Sequence, residues 1–239
     1  MVKIEILKLN LPYFKVNTSK KNKALQNRIA GENKDLIPGL RIHNKGGTEN
    51  KYEDYSYPLV QYRSVNGNGE LFAINNGIKD LINFYNNNEV SNVLKTEFGI
   101  TNWNIQSHNL RLNSKSQTYF SDNYIVLDED NKKIFDSIPS DLEEEFQQKS
   151  FLEEKIVSHL IEFCKRFNYC SDGHLWVRVI DFNLKAADTF TKTNKDKTVI
   201  NYSLTPFQIT FQTNLEIPNE IGLGKKKAIG YGIVSLLKN

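Results

Sequence analysis

The sequence YPLVQYRSVNGNGELFAINNGIKDLINFY, residues 57–85, determines how the first half of the chain is interpreted. Its apolar runs at 57–63 and 70–74 are typical of strands, and the NGNG sequence at 66–69 is a strong signal for a tight hairpin turn. From Gly77 to Tyr85, apolar residues recur at helical spacing, which predicts an amphipathic helix. This stretch therefore predicts two antiparallel strands followed by a helix.

The elements predicted on either side extend this unit. Alternating apolar residues indicate a strand from Lys3 to Leu9, helical spacing predicts a helix from Ser19 to Ile37, and Ile105–Leu112 is typical of another strand. The resulting order is β-α-β-β-α-β. It is the order of a ferredoxin-like unit, in which two helices pack on an antiparallel four-stranded sheet.

The second half repeats this order imperfectly. Strands are predicted at 121–127, 175–182, 206–213 and 229–236, and a strong amphipathic helix at 151–167, but no second helix is evident. The polar, lysine-rich stretch 185–201 is typical of a hairpin tip. We therefore expect an α+β protein with two tandem ferredoxin-like domains, residues 1–120 and 121–239, the second imperfect.

The composition is that of an ordinary globular protein. Of the 239 residues, 25% are charged and 39% are hydrophobic, which excludes disordered, collagen-like and coiled-coil proteins. The chain has no run of about 18 apolar residues, and its charged start, MVKIEILKLN, lacks the apolar core of a signal peptide. We expect a cytoplasmic protein that does not contact membranes, with Cys164 and Cys170 as thiols.

Basic residues are concentrated in two segments of the chain. Lys15–Lys51 has nine Lys and Arg residues against three acids, and Ile221–Asn239 has four lysines and no acid. Between them, Asp128–Glu154 has ten acids against three bases. Two basic segments separated by an acidic one favour a polyanion that is contacted at two places.

The sharpest motif is GLGKKKAIGYG at 222–232, in which two Gly-X-Gly units flank five residues, three of them lysine. Glycines allow positive φ angles and close approach of a ligand to the backbone. Successive exposed N–H groups can then form a concavity that binds anions, and lysines add charge for phosphate. A dinucleotide-binding interpretation fails because that motif needs a helix and a second strand afterwards. A glycine-rich turn with solvated lysines is the alternative interpretation.

A second candidate site is the polar loop around His43, which continues through Lys45 to a tyrosine-rich stretch at 52–57. A histidine in such a loop titrates near neutral pH and is suited to move protons. RNA carries its own nucleophile, the 2′-hydroxyl, so cleavage needs a base for that proton, stabilisation of the phosphorane and a proton for the departing 5′-oxygen. This chemistry needs no metal and no cofactor.

Other candidates are weaker. The two cysteines and His174 lack a fourth ligand for zinc, so no metal site is expected. His159, among apolar residues of the predicted helix at 151–167, is interpreted as structural. Tyr119, Phe120 and Tyr124 are candidates for stacking on unpaired bases, although aromatic residues that alternate along strands are more often part of a core.

With both motifs in view, the chain resembles the CRISPR-associated RNA-processing endoribonucleases of the repeat-associated mysterious protein (RAMP) superfamily. These proteins have two ferredoxin-like domains and cut precursor CRISPR RNA within each repeat. Residues 222–232 fit every position of the family's C-terminal motif, Gly–hydrophobic–Gly, five residues with a base, Gly–hydrophobic–Gly. One subgroup has a His-Asn-His loop before a Tyr-Pro-Leu-hydrophobic-Gln-Tyr strand. Here the sequence HNK at 43–45 precedes YPLVQY at 57–62.

The resemblance implies roles for individual residues. It makes His43 the general base, and Tyr55 or Tyr52 the group that orients the phosphate or protonates the leaving oxygen. Lys45 stands where the subgroup often has its second histidine, and it would stabilise the phosphorane. The residues implied to bind the RNA are Gly222, Gly224, Lys225, Lys226, Lys227, Gly230 and Gly232. The products implied are a 5′-hydroxyl and a 2′,3′-cyclic phosphate, formed without divalent metal.

The resemblance leaves two functions open. The first is a metal-independent endoribonuclease acting on CRISPR repeat RNA, which His43 in a basic, tyrosine-rich loop favours. The second is a non-catalytic subunit that only binds CRISPR RNA, which the replacement of the second histidine by Lys45 favours. The partners implied are repeat RNA, subunits of a CRISPR effector complex and a second copy of the chain in a homodimer.

Overall fold

The computed structural model describes residues 1–15, 24–27, 29, 57–65, 67–100, 103–139, 143–169, 174–193 and 197–237. The chain forms two compact units. The first comprises Met1–Leu110, Lys165–Tyr169 and Lys227–Gly230, and the second comprises Arg111–Cys164, Cys170–Lys226 and Tyr231–Asn239.

The first unit is built on a four-stranded antiparallel sheet. Its strands are β1 (Val2–Lys15), β2 (Val60–Val65), β3 (Asn68–Ile74) and the first part of β4 (Asn104–Tyr124), in the order β2-β3-β1-β4. Its helices are α1 (Asn76–Asn86) and α2 (Asn88–Phe98). Residues 24–26, within the predicted first helix, are also helical. This strand order is that of the predicted ferredoxin-like fold.

The core of the first unit follows from the alternation along β1. Leu7, Leu9 and Leu11 point to one face of the sheet and are fully or almost fully buried. They pack in one cluster with the apolar face of α1, which supplies Ile78, Leu81 and Phe84, and with Leu25 and Ile29. The β2–β3 hairpin has the tight turn that its sequence predicts, since Val65 pairs with Asn68 and Gly67 has a φ of 76°.

The second unit contains a five-stranded sheet and a separate hairpin. Its elements are the rest of β4, α3 (Glu129–Asp136), most of α4 (Glu144–Arg166), β5 (Val177–Leu184), β6 (Asp188–Thr193), β7 (Val199–Leu204), β8 (Phe207–Glu216), β9 (Ile221–Gly222) and β10 (Ile233–Leu236). The sheet has the order β5-β8-β4-β10-β9, and β6 pairs with β7. Strict alternation along β8 buries Phe207, Ile209 and Phe211.

The imperfection of the second ferredoxin-like unit has a definite location. The predicted β-α-β-β order is present as β4, α4, β5 and β8, and the last predicted strand is β10. Between β8 and β10, where the second helix would stand, the chain instead forms β9, the glycine-rich segment and a three-residue 3₁₀ helix, Lys227–Ile229. The fold class predicted from the sequence, two tandem ferredoxin-like domains with the second imperfect, is confirmed.

Several predicted elements differ from the structure in detail. β4 is one strand of 21 residues, where the sequence predicted separate strands at 105–112 and 121–127. Most of the residues between those runs, NSKSQT at 113–118, are polar and hide the continuity of the strand. Two helices, α2 and α3, were not predicted from the sequence. α3 has few apolar residues, and its start is stabilised by Asp128, whose Oδ1 accepts a hydrogen bond from the backbone N–H of Asn131 at 2.9 Å.

Within the described part of the chain, no helix has both the length and the apolar character needed to cross a membrane.

Candidate functional site

The glycine-rich segment, residues 222–232, connects β9 to β10 through a tightly turned backbone. Gly222 lies in β9 and pairs with Ile233 of β10. The other glycines of the motif have positive φ angles: 74° at Gly224, 84° at Gly230 and 65° at Gly232. Glycine adopts these angles without the steric penalty that a side chain would bring, which explains why the motif contains glycine at these positions.

Gly224 and Gly232 also have no room for a side chain. A Cβ added to Gly224 would lie 2.3 Å from the ring of Tyr124, and one added to Gly232 would lie 2.0 Å from the carbonyl oxygen of Leu223. The space beside these glycines is therefore filled by the protein itself. In the structure these glycines allow close packing on the end of β4, whereas the sequence predicted close approach of a ligand.

Several backbone N–H groups of the segment already donate to carbonyl oxygens. These bonds run from Leu223 to Gly232 (2.9 Å), from Lys225 to Ile125 (2.9 Å), from Gly230 to Lys227 (3.2 Å), from Tyr231 to Lys226 (3.4 Å) and from Gly232 to Asn123 (2.8 Å). These N–H groups are therefore not open to phosphate. The expected concavity of exposed N–H groups is wrong for these five residues.

Lys225 has the most accessible lysine side chain of the motif. Its side chain is 48% exposed, and its Nζ lies 3.6 Å from Oδ2 of Asp128. Hydrogen bonds from the backbone N–H and the side chain of Asn131, and then the nearby charge of Lys225, hold the pKa of the Asp128 carboxyl below its usual value. An ion pair this exposed contributes little to stability, so an incoming anion can replace the carboxylate at low cost.

Lys226 has a different environment. Its ammonium lies 5.0 Å from the ring centroids of both Phe190 and Tyr202, within the range of cation–π attraction. It also donates a hydrogen bond to the hydroxyl of Tyr202. The side chain of Lys226 therefore turns towards the β6–β7 hairpin.

Lys227 begins the 3₁₀ helix and belongs to the first unit. Its Nζ lies 5.4 Å from the ring centroid of Tyr57, which lies shortly before the start of β2. Tyr57 is almost fully buried and also has an edge-on contact with Phe167, at a centroid distance of 6.1 Å. Each of the three consecutive lysines thus has a different set of neighbours within its own unit.

Of the three aromatic residues considered for base stacking, Phe120 is half-buried and the other two belong to the core. Tyr119 and Tyr124 are fully buried, so their rings are not available to unpaired bases. The hydroxyl of Tyr124 lies 3.1 Å from Nδ1 of His159, which agrees with the structural interpretation of that histidine. Tyr124 packs against the glycine-rich segment, because its ring fills the space beside Gly224.

The four residues predicted to act in cleavage, His43, Lys45, Tyr52 and Tyr55, lie outside the described residues. Their roles remain predictions. Among the residues that the structure does describe, no group of three or more His, Cys, Asp or Glu side chains is arranged to hold a metal ion.

The aromatic partners of Lys226 were not predicted from the sequence. Phe190 and Tyr202 face each other across the β6–β7 hairpin, and their rings stack at a centroid distance of 5.7 Å. Both residues lie in or beside the stretch assigned to a polar hairpin tip. The sequence pattern that could have predicted this pair is two short strand-forming runs, DTFTKT at 188–193 and VINYSL at 199–204, each with one aromatic residue.

Two family models match the chain, one after the other. The Cas6b N-terminal domain matches residues 2–114, and the Cas6b C-terminal domain matches residues 111–237. A search of curated proteins found no match.

Solved structures resemble the chain over almost its whole length. A crystal structure of Cas6b has a TM-score of 0.70 at 18% identity and covers 98% of this chain and 100% of its own. The crystal structure of a CRISPR RNA processing endoribonuclease, also a Cas6b, has a TM-score of 0.63 at 20% identity with the same coverage. Csf5, a type IV Cas6 crRNA endonuclease, has a TM-score of 0.56 at 10% identity and covers 99% of this chain and 100% of its own. At these identities the likeness concerns the fold.

The two family models define the class of the protein: an endoribonuclease of CRISPR RNA processing. The chain belongs to the Cas6b family. This membership confirms the resemblance found in the sequence and the prediction of an endoribonuclease. The expectation that the His43 loop corresponds to a His-Asn-His loop stays a prediction.

Proposed function

We propose that this chain cleaves precursor CRISPR RNA within its repeats, without a metal ion, by attack of the 2′-hydroxyl on the adjacent phosphate. The observation that supports this proposal most strongly is the match of both Cas6b domain models, which together span residues 2–237. Lys225, whose side chain is the most exposed among the lysines of the glycine-rich segment, adds a cation that an RNA phosphate could approach.

The reaction needs one proton removed and one proton supplied. His43 would accept the proton of the 2′-hydroxyl as the oxygen attacks phosphorus, and the bond between phosphorus and the 5′-oxygen would break. Tyr55 or Tyr52 would orient the phosphate or protonate the departing oxygen, and Lys45 would stabilise the charged phosphorane. The products would be a 2′,3′-cyclic phosphate and a 5′-hydroxyl.

The test is cleavage of the cognate repeat RNA by the purified protein in excess EDTA. We expect cleaved product with a 5′-hydroxyl end. Replacing His43 with Ala should lower the cleavage rate by about 10²- to 10⁴-fold, the usual contribution of one acid–base group, with little change in RNA affinity. His174→Ala is the matched control, because this exposed histidine lies in the second unit and has no proposed role.

The outcomes separate the two functions that the sequence leaves open. RNA that is bound but stays intact, with or without divalent metal, would show a binding subunit. Cleavage that requires Mg²⁺ would contradict the metal-independent mechanism. A His43→Ala rate within a few-fold of the unmodified protein would remove His43 from the active site.

A further inference from the structure

The side chain of Lys226 is held by aromatic residues of the β6–β7 hairpin. Its ammonium lies 5.0 Å from the centroid of Phe190 and 5.0 Å from that of Tyr202, and it donates a hydrogen bond to the Tyr202 hydroxyl. A cation near two ring faces, partly removed from water, is attracted to both rings. These contacts connect the glycine-rich segment to the hairpin.

A second residue of the segment, Tyr231, strengthens the same connection. The ring of Tyr231 meets the ring of Phe190 edge-on at a centroid distance of 5.6 Å. Its hydroxyl donates a hydrogen bond of 2.7 Å to Oδ2 of Asp188, at the start of β6. Tyr231 is 1% exposed, so this contact is shielded from solvent. Lys226 and Tyr231 therefore contact the same hairpin.

The backbone conformation at position 226 does not favour lysine over other residues. Lys226 has a φ of 58°, in the left-handed region that glycine or asparagine adopts more readily. Gly224, two residues earlier in the same segment, shows that glycine is used where the segment needs such an angle. A lysine kept in a strained conformation indicates that its side chain contributes something that glycine could not.

We propose that Lys226 is a positioning residue, which fastens the β6–β7 hairpin to the glycine-rich segment, while Lys225 provides the charge that faces the phosphates of the bound RNA. The first part stands on the described contacts alone. The second part rests on the proposed function. It assigns different tasks to two adjacent lysines that the family motif treats alike.

The first experiment follows hydrogen exchange of the backbone amides of β6 and β7 in the RNA-free protein. Lys226→Met removes the cation but keeps a long apolar side chain, and we expect about 5- to 30-fold faster exchange in the hairpin, as the loss of a partly buried cation–π contact implies. Lys226→Arg, which retains a cation that stacks on aromatic rings, should restore much of the protection. Lys226→Asn tests the same loss in a residue suited to the left-handed backbone.

Lys225→Met is the matched control, since it removes the neighbouring cation without touching the aromatic residues. Hairpin exchange should be unchanged in this variant. If hairpin exchange is unchanged in both Lys226→Met and Lys226→Asn, the positioning role is wrong. Faster exchange in Lys225→Met as well would also overturn it, because the effect would then be one of general charge.

The second experiment measures the affinity for repeat RNA as a function of salt. Losing one phosphate contact to a single strand lowers the salt slope by about 0.7. We expect this decrease for Lys225→Met, and weaker binding with an unchanged slope for Lys226→Met. The opposite pattern would place Lys226 on the phosphate and overturn the assignment. Absence of RNA binding by the unmodified protein would contradict the proposed function, while the exchange result would still decide the positioning role.

Discussion

Gly67 and Gly232 have similar backbone angles but different surroundings. Their φ angles are 76° and 65°, so both are in the left-handed region. A Cβ added to Gly67 would meet nothing within 4 Å, whereas one added to Gly232 would lie 2.0 Å from the carbonyl oxygen of Leu223. The two residues therefore separate the penalty of the backbone angle from the penalty of a steric clash.

We expect Gly67→Ala to lower the free energy of unfolding by about 1–2 kcal/mol, the cost of a left-handed residue with a side chain. Gly232→Ala should cost distinctly more, because the Leu223 carbonyl must also move. The measurement is urea unfolding of both variants at neutral pH. Equal losses in the two variants would show that the glycine-rich segment yields easily and is not packed as described.

At the residue scale, the sequence predicted where the special backbone lies but not what fills the space around it. Positive φ angles at Gly224, Gly230 and Gly232 follow from the motif. The partner of Gly224 is Tyr124, about a hundred residues away in the chain. Spacing within a motif carries no information on such a distant neighbour, so the segment was interpreted as open to a ligand.

At the scale of elements, the β2–β3 hairpin contains a buried ion pair. Arg63 and Glu70 lie opposite each other on the two strands, and the Arg63 Nη2 to Glu70 Oε1 distance is 2.5 Å. Their side chains are 0% and 4% exposed. The guanidinium also lies 3.8 Å from the ring centroid of Phe72. Removing one partner would leave the other charge buried without its counter-ion.

We expect Glu70→Ala to destabilise the protein by about 3–5 kcal/mol, the usual effect of breaking a buried ion pair. The double variant Arg63→Met, Glu70→Leu should lose clearly less, since no charge is left behind. The measurement is chemical unfolding of the single and double variants. Glu5→Ala is the control, because Glu5 pairs with Lys3 at the surface and such pairs contribute about 1 kcal/mol or less. A double variant as unstable as the single one would contradict this account.

The elements that were predicted best are those with strong apolar periodicity. α1 and β3 agree with the sequence within about two residues at their ends, which is ordinary for boundaries. α3 was missed because its start depends on the cap at Asp128 and not on an apolar face. The predicted catalytic loop around His43 lies outside the described residues, so at that site the sequence remains the source of the prediction.

At the scale of the whole molecule, each unit buries a tyrosine that has to remain neutral. Tyr62 in the first unit and Tyr119 in the second are both fully buried. Burial raises the pKa of both phenols well above the ordinary value. Because the unfolded chain releases these protons near pH 10 and the folded protein does not, their stabilising contribution is complete below about pH 10 and is lost as the pH rises further.

We therefore expect the free energy of unfolding to fall above pH 10, by about 1.4 kcal/mol per pH unit for each of the two tyrosines. Tyr62→Phe should remove one such contribution from the slope. The measurement is urea unfolding at several pH values between about 9 and 11. Tyr13→Phe, at an exposed position, should leave the slope as it is. An identical slope in Tyr62→Phe would contradict the prediction.

The internal hydrogen bonds of the glycine-rich segment have a consequence for recognition. Leu223, Lys225 and Gly232 donate to carbonyl oxygens of the protein whether or not a partner is present. Most of the conformational entropy of these residues is therefore lost when the chain folds, and association does not have to remove it again. A nucleic acid that bound here would contact a preorganised backbone. Its affinity would then depend on charge and shape complementarity, and not on ordering of the segment upon binding.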